Sequence, residues 1–278
     1  MSELLRIENI TQYFASNRKL FSKGYVLKAV DGVSLSLAKG ETLGLVGESG
    51  CGKSTLGRTI LKLLEPSSGK IWFEGQDITS LSRKQMQPLR KEMQIVFQDP
   101  LESLNARHSI GMIIQEPFDI HNIGTKEERK QWVKELLVKV GLPEECINRY
   151  PHEFSGGQRQ RIGIARAIAL KPKLLICDES VSALDVSVQA QIINLLIKLQ
   201  QELELAIIFI SHDLSVVRHI SDRVAVMNKG KIVETGDTLT IYNHPQDEYT
   251  KVLLSAIPIT HPSQRKKKRF QNPPIKQE

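Results

Sequence analysis

The sequence predicts an α/β fold with a mostly parallel central sheet, and two observations carry this prediction. Apolar runs of strand length recur at residues 41–46, 93–97, 174–177 and 206–210. Continuous runs of this kind are typical of parallel strands that are covered on both faces. Segments with helical spacing of apolar residues separate these runs, as expected where strands and helices alternate.

A glycine-rich loop follows the first of these strands and precedes a predicted helix at residues 56–64. A strand, a loop ending in Gly-Lys-Ser and a helix form the context that a phosphate-binding P-loop requires. The glycines let successive N–H groups point at an anion, and the helix N-terminus adds partial positive charge. We interpret the loop as a nucleoside triphosphate site, in which the lysine reaches the β- and γ-phosphates and the first serine after it binds Mg²⁺. Its residues are Gly47, Glu48, Ser49, Gly50, Cys51, Gly52, Lys53, Ser54 and Thr55.

Size and composition fit one large domain, or one domain with an inserted lobe. The chain has 278 residues, of which 40% are hydrophobic and 25% charged. No apolar run approaches the roughly 20 residues of a membrane span, and the first residues lack the pattern of a signal peptide. The three cysteines show no metal-binding or disulfide spacing, so we expect a reducing cytoplasmic compartment.

Part of the net charge of +7 comes from five consecutive basic residues at 265–269. A solvated, disordered tail at 258–278 is the first interpretation of this run. Attraction to anionic lipid headgroups is the second. Nucleic acid is the weakest, because no aromatic residues alternate with the charges.

The remaining segments place further elements around the parallel strands. Residues 4–10, 33–37 and 70–75 read as strands of a small antiparallel sheet, with 15–28 as a loop. Residues 108–172 are mainly helical, a helix is predicted at 188–203, and 223–227 with 231–234 reads as a hairpin. Because an open α/β sheet binds ligands at the carboxyl ends of its strands, the P-loop, the acidic pair Asp178 and Glu179, and His212 should converge on one nucleotide.

A P-loop alone leaves GTPases, kinases, helicases and transport ATPases open, and a second set of motifs decides among them. In order along the chain, this set is Ser155-Gly156-Gly157-Gln158, Asp178-Glu179 and Ser182-Ala183-Leu184-Asp185. With these motifs the chain resembles ATP-binding-cassette (ABC) ATPases up to about residue 257. The resemblance implies a P-loop NTPase with a RecA-like, mostly parallel core in residues 1–257, an antiparallel β subdomain, and an α-helical subdomain inserted at about 108–172.

The resemblance also implies roles for single residues. Phe14 or its neighbour Tyr13 matches the aromatic that stacks on adenine. Gln98 matches a residue that helps bind Mg²⁺ and senses the γ-phosphate, and Asp178 suits an outer Mg²⁺ contact. Glu179 matches the general base for the attacking water. His212 matches a histidine that contacts the γ-phosphate. The implied metal site is therefore Ser54, Gln98 and Asp178, and the implied ligands are ATP and Mg²⁺.

In this family, the signature segment does not serve the nucleotide of its own chain. It covers the ATP held by the P-loop of a partner, so that two cassettes enclose two ATP molecules head to tail. Asp185 would lie along that interface. The residues of the signature segment here are Ser155, Gly156, Gly157 and Gln158.

Finer features are similar to the ATPases of oligopeptide, dipeptide and nickel importers. They include the P-loop itself and a late pattern with His244, Pro245, Tyr249 and Thr250. Among the two ATPase subunits of such importers, the chain looks like the second, F-type one. The expected partners are a D-type ATPase as heterodimer, two transmembrane permeases and an extracytoplasmic binding protein, with no nucleic acid. We therefore expect the chain at the cytoplasmic face of the cell membrane, held there by the permeases.

Two departures from the family are visible. Ala106 stands where proline is frequent, and no cysteine after Cys177 could hold the iron–sulfur cluster of some relatives. The expected function is ATP hydrolysis that drives peptide import. A nickel or metal-chelate importer and a peptide exporter remain alternatives, because the cassette does not touch the cargo. A soluble ABC protein is disfavoured, since neither a second cassette nor a coiled-coil insertion is visible. A GTPase is disfavoured because Asn228-Lys229-Gly230-Lys231 lacks the base-reading aspartate, and a non-hydrolysing module because Glu179 and His212 are present.

Overall fold

A six-stranded, mostly parallel sheet forms the centre of the computed structural model, which describes residues 2–15, 26–99 and 103–256. Its strand order is β10-β9-β3-β8-β7-β6, in which only the β9–β10 pair is antiparallel. The predicted parallel core and terminal hairpin are thus confirmed. The strands are β3 (Thr42–Val46), β6 (Met93–Val96), β7 (Leu174–Asp178), β8 (Ala206–Ser211), β9 (Arg223–Asn228) and β10 (Lys231–Asp237).

A four-stranded antiparallel sheet of order β2-β1-β4-β5 stands beside this core. Its first two strands are longer than predicted: β1 runs through Tyr13 and Phe14, and β2 begins within the segment interpreted as a loop. Pairing continues to the end, with Phe14 opposite Leu27, but register shifts along β1 break the alternation that would have revealed it. Residues 16–25 of the expected loop lie outside the described residues. The strands are β1 (Glu3–Ala15), β2 (Val26–Ala38), β4 (Ser68–Phe73) and β5 (Gln76–Asp77).

Helices cover the faces of the parallel sheet and fill the predicted helical region. Helices α3, α4 and α5, with 3₁₀ turns at Glu144–Asn148 and Pro151–Glu153, lie within residues 108–172. Helix α1 ends four residues earlier than predicted, because Lys62 takes a left-handed conformation with φ of 54°. The helices are α1 (Lys53–Ile60), α2 (Arg83–Arg90), α3 (Ile110–Ile120), α4 (Lys126–Lys139), α5 (Gly156–Ile168), α6 (Val186–Leu203), α7 (Leu214–Ile220), α8 (Thr238–Asn243) and α9 (Glu248–Ser255).

Two hydrophobic clusters lie on opposite faces of the parallel sheet. Strand β7 shows the division: Leu175 and Cys177 join the cluster shared with the helical region, whereas Leu174 and Ile176 join the one shared with α1 and the antiparallel sheet. Every residue of β3, β7 and β8 is buried, which explains why these strands read as continuous apolar runs. This packing fixes the carboxyl ends of the three strands side by side.

Among the described residues, no helix has both the length and the apolar character needed to cross a membrane. The basic run at 265–269 and the rest of the predicted tail lie outside the described residues.

Candidate functional site

A cavity of about 660 Å³ opens at the carboxyl ends of β3 and β7, beside the N-terminus of α1. It brings together most of the residues that the sequence assigned to one nucleotide. Its lining comprises Phe14, P-loop residues 49–55, Gln98 and Glu179, together with residues 26–29 of β2 and the turn residues Lys229 and Gly230.

The P-loop takes a conformation that only glycine allows at two positions. Gly47 and Gly52 have φ of 152° and 108°. A Cβ on Gly47 would lie 2.1 Å from the Met227 carbonyl oxygen, and one on Gly52 would lie 2.0 Å from the Ala29 carbonyl oxygen. The loop is therefore packed against β2 and β9, and a side chain at either position would force it out of place.

Lys53 is the buried cation of the site, with only 3% of its surface exposed. Its ammonium group donates hydrogen bonds of 2.8 Å to the carbonyl oxygens of Gly47 and Glu48. The lysine is thus held by the first residues of its own loop. A phosphate entering the cavity would compete with these carbonyls for the same charge.

Ser54 and Asp178 form the group of oxygens expected to hold a metal. The Ser54 hydroxyl donates to Asp178 Oδ1 over 2.6 Å, and Arg58 approaches the other carboxylate oxygen at 3.6 Å. Burial raises the pKa of Asp178, while the bond from Ser54 and the charge of Arg58 act in the opposite direction. Among the described residues, no group of three or more histidine, cysteine or acidic side chains is arranged to hold a metal ion. One carboxylate and one hydroxyl fit Mg²⁺, which keeps waters and phosphate oxygens as its other ligands.

Glu179 is approached by two of the other predicted residues. Gln98 Nε2 donates to Glu179 Oε2 over 3.2 Å, and His212 Nδ1 lies 3.5 Å from the same oxygen. In this arrangement Gln98 offers Glu179 its amide nitrogen rather than the oxygen expected at Mg²⁺. Glu179 itself has φ of 47°, a left-handed conformation that is strained for a side chain of this kind. Strain held in place by its surroundings is frequent at functional sites.

The side chains of Phe14 and Tyr13 have different surroundings. Neighbouring residues of a strand point to opposite faces, and it is Phe14 that lines the cavity. Tyr13 instead donates a hydrogen bond of 2.5 Å to Asp31, and this bond raises the pKa of Tyr13. The geometry therefore favours Phe14 as the aromatic for the base and gives Tyr13 a structural contact.

The signature segment begins helix α5 and does not line this cavity. Ser155 caps the helix through a reciprocal pair of hydrogen bonds with Gln158. Gly157 is packed so tightly that a Cβ would lie 2.2 Å from Val188 Cγ1, whereas Gly156 is exposed. Asp185, at the N-terminus of α6, is exposed as well. The exposed residues of this surface are accessible to another molecule.

Sequence reasoning missed the support that the β9–β10 turn gives to the P-loop. The Gly230 N–H donates to the Cys51 carbonyl over 2.9 Å, and the Gly230 carbonyl accepts the Asp31 N–H over 2.8 Å. Lys229, which precedes Gly230 in the turn, lines the cavity. The sequence indicated a turn here but carried no signal that the turn reaches the nucleotide loop.

Comparison with known proteins identifies the family. The family model described as ABC transporter matches residues 30–182, more than half of the chain. The chain belongs to the ABC transporter family. Membership of this family implies that the chain binds ATP.

Curated members of the ABC family cover nearly the whole chain. The oligopeptide transport ATP-binding protein AppF of Bacillus subtilis is 56% identical over 259 residues, which are 92% of this chain and 79% of that protein. The oligopeptide transport ATP-binding protein OppF of Haemophilus influenzae is 55% identical over 249 residues, or 89% and 75% of the two chains.

Solved ABC structures confirm the predicted fold class. CbiO1 of Clostridium perfringens, part of the ABC transporter complex cbiONQ, superposes with a TM-score of 0.76 at 30% identity, over 88% of this chain and 92% of that one. The ATP-binding cassette MJ0796, solved as a dimer bound to ADP and phosphate, gives 0.75 at 26% identity, over 84% and 99% of the two chains.

Proposed function

We propose that this chain is the ATP-hydrolysing subunit of an ABC importer for oligopeptides or dipeptides. The observation that carries hydrolysis is the meeting of Gln98 and His212 at one oxygen of Glu179, at the edge of the P-loop cavity. The substrate class is supported by the similar proteins of Bacillus subtilis and Haemophilus influenzae, whose names state oligopeptide transport.

The cavity suggests a division of labour among its residues. Phe14 stacks on the adenine, and Lys53 together with the loop amides binds the phosphates. Ser54 and Asp178 would hold Mg²⁺, together with Gln98 once its amide oxygen turns toward the metal, and the metal would supply positive charge to the phosphates. Glu179 accepts the proton of the attacking water, which its position beside the loop allows.

His212 and Gln98 complete the catalytic group. His212 stands beside Glu179, where it contacts the γ-phosphate and orients the carboxylate toward the water. Gln98 donates to the same oxygen, so a change at the γ-phosphate is transmitted to the segment that follows Gln98. We infer that this segment and the helical subdomain transmit the change to the permeases.

The signature segment supports a composite site formed by two cassettes. Because it lies outside the cavity of its own chain and exposes Ser155 and Gly156, it is suited to cover the ATP of a partner. The proposed assembly pairs this F-type chain with a D-type ATPase, two permeases and an extracytoplasmic binding protein. The chain would lie at the cytoplasmic face of the cell membrane.

Uptake by a strain that lacks the chain tests the proposal. Defined di- to pentapeptides and nickel are offered separately, and the strain is complemented with the wild-type chain or with Glu179→Gln. The proposal is supported if the wild-type chain restores peptide uptake and Glu179→Gln does not. Restoration of nickel uptake alone, or faster peptide loss from preloaded cells, would replace it with a metal importer or an exporter.

A further inference from the structure

Helix α9 contacts the P-loop through one hydrogen bond. The backbone N–H of Glu48 donates to the Tyr249 hydroxyl over 3.1 Å. The two residues are 201 positions apart, so the contact is a product of the tertiary fold. Tyr249 belongs to the late sequence pattern that begins at His244. The residues of this pattern do not line the nucleotide cavity.

The first turn of α9 is firmly attached to the parallel sheet. Asp247 Oδ1 caps the helix by accepting the N–H groups of Tyr249 and Thr250 over 2.9 and 3.3 Å. The Glu234 carboxylate of β10 accepts the N–H groups of Gln246 and Asp247 over 2.8 and 3.1 Å. Thr250 is 1% exposed. The backbone of Tyr249 is therefore held by contacts independent of the P-loop, and its half-buried side chain packs against the hydrophobic core.

The first residues of the P-loop have two kinds of support. Their carbonyl oxygens, at Gly47 and Glu48, accept from the Lys53 ammonium group, and the Glu48 N–H donates to Tyr249. The third proton of this ammonium group faces Cys51 Sγ at 3.7 Å. Since an ammonium group has three protons to donate, a phosphate that binds Lys53 must displace at least one of these contacts. The bond to Tyr249 does not involve the Lys53 ammonium group, so this exchange does not break it directly.

We propose that Tyr249 is a positioning residue that keeps the first part of the P-loop in its phosphate-binding conformation. The inference rests on the proposed function, since it assigns Tyr249 a role in ATP binding. A loop already ordered before the ligand arrives loses less conformational entropy on binding, which improves affinity. The tyrosine acts on the loop and does not touch the reacting atoms, so it affects ATP affinity and leaves the hydrolytic step unchanged.

The test compares Tyr249→Phe with the wild-type full-length chain, with a fluorescent ATP analogue and Mg²⁺ as the probe. Phenylalanine keeps the ring and removes only the hydroxyl. We expect the Kd to rise about three- to tenfold, the effect of one lost hydrogen bond. In the nucleotide-free chain, hydrogen exchange of the Glu48 amide should become faster. Where ATPase activity is measured, KM should rise while kcat stays within about twofold.

Tyr242→Phe is the matched control. The Tyr242 hydroxyl also belongs to the C-terminal helices, but it donates to the Leu214 carbonyl rather than to the P-loop. Its removal should leave the Kd and the Glu48 exchange rate unchanged even if the melting temperature falls. An equal rise of Kd in both variants would mean general destabilisation and would overturn the proposal.

Further outcomes separate this inference from the proposed function. An unchanged Kd and an unchanged Glu48 exchange rate in Tyr249→Phe overturn the role of Tyr249 alone. A wild-type chain that binds no ATP analogue rejects the proposed function itself. If Tyr249→Phe does not fold, Glu234→Gln is measured in its place, since it loosens the attachment of α9. A Kd equal to that of the wild type would then overturn the inference.

Discussion

Ser54 and Asp178 are joined by a hydrogen bond of 2.6 Å, although 124 positions separate them in the chain. The bond connects the N-terminus of α1 to the carboxyl end of β7. It places the hydroxyl and the carboxylate expected at Mg²⁺ in direct contact. Substitution of either residue should therefore change the dependence of ATP hydrolysis on Mg²⁺ concentration.

Replacing Ser54 with alanine should raise the Mg²⁺ concentration needed for half-maximal ATP hydrolysis about ten- to a hundredfold, the range seen when metal-site partners are removed. ATPase activity measured over a Mg²⁺ titration checks this. Ser68→Ala is the control, because it loses a hydroxyl contact of 2.7 Å to Thr11 on the antiparallel sheet, away from the cavity. An unchanged Mg²⁺ dependence in Ser54→Ala would contradict the metal assignment.

Asp178→Asn should stabilise the nucleotide-free chain at neutral pH while abolishing ATP hydrolysis. Burial raises the folded-state pKa of Asp178 above 3.8, so the folded state disfavours the charged form. This penalty is absent well below pH 3.8, grows as the pH rises through the folded pKa, and is complete above it. The variant should therefore melt above the wild type near neutral pH.

Melting curves of both chains at about pH 4 and about pH 7.5 measure the difference. The advantage of Asp178→Asn should shrink at the lower pH. A variant that melts below the wild type at both values would show that the contacts with Ser54 and Arg58 outweigh the burial of the charge.

Phe14→Ala should weaken ATP binding about tenfold, since a base stacked on an aromatic ring contributes on the order of 1–3 kcal/mol. Tyr13→Ala is the matched comparison, because it removes the neighbouring ring, whose hydroxyl bonds to Asp31. We expect its effect on Kd to be smaller than twofold. The reverse order of the two effects, in titrations with a fluorescent ATP analogue, would transfer the stacking role to Tyr13.

Glu179→Gln should bind ATP and lose hydrolysis by about 10²–10⁴-fold, the usual contribution of a general base. With its partner chain, the variant should remain as a closed dimer on ATP, which size-exclusion chromatography detects. Glutamine preserves the size of the side chain and the strained backbone at this position. Undiminished turnover in the assembled transporter would exclude Glu179 as the base.

Gly156→Asp should prevent the ATP-dependent association of two cassettes and leave ATP binding by its own P-loop unchanged. The added carboxylate would face the γ-phosphate held by the partner. Gly156→Ala is the control for size, since its Cβ would make only an ordinary contact of 3.4 Å with Leu184. Loss of nucleotide binding by the isolated Gly156→Asp chain would contradict a role in the partner's site.

The sequence predicted the parallel core and the identity of the central strands well, because these strands are buried on both faces and read as unbroken apolar runs. The sequence was less informative for elements whose hydrophobic pattern is interrupted or sparse. The end of β1 was not predicted, because register shifts interrupt its alternation of apolar and polar residues. Helix α2 was not predicted, because Met86 is its one buried residue and leaves no apolar periodicity.

Part of the candidate site could also be proposed from the sequence. Short motifs carry the P-loop, Gln98, Glu179 and His212, because their chemistry requires a fixed spacing within a few residues. The choice of Phe14 over Tyr13 needed the direction of two side chains on one strand. The support from Tyr249 and Gly230 could not be read from the sequence, because it depends on backbone groups brought together from distant segments.

The position of β3 between β8 and β9 has a consequence for synthesis of the chain on the ribosome. Both hydrogen-bonding edges of the P-loop strand must wait for partners that are made about 160 to 180 residues later. At about 5–20 residues per second this delay is roughly 8–36 seconds. During that time Val46 and its apolar neighbours have no native sheet to enter. The nucleotide site is therefore among the last parts of the molecule to assemble. A nascent chain that stops before β9 lacks part of the nucleotide-binding cavity.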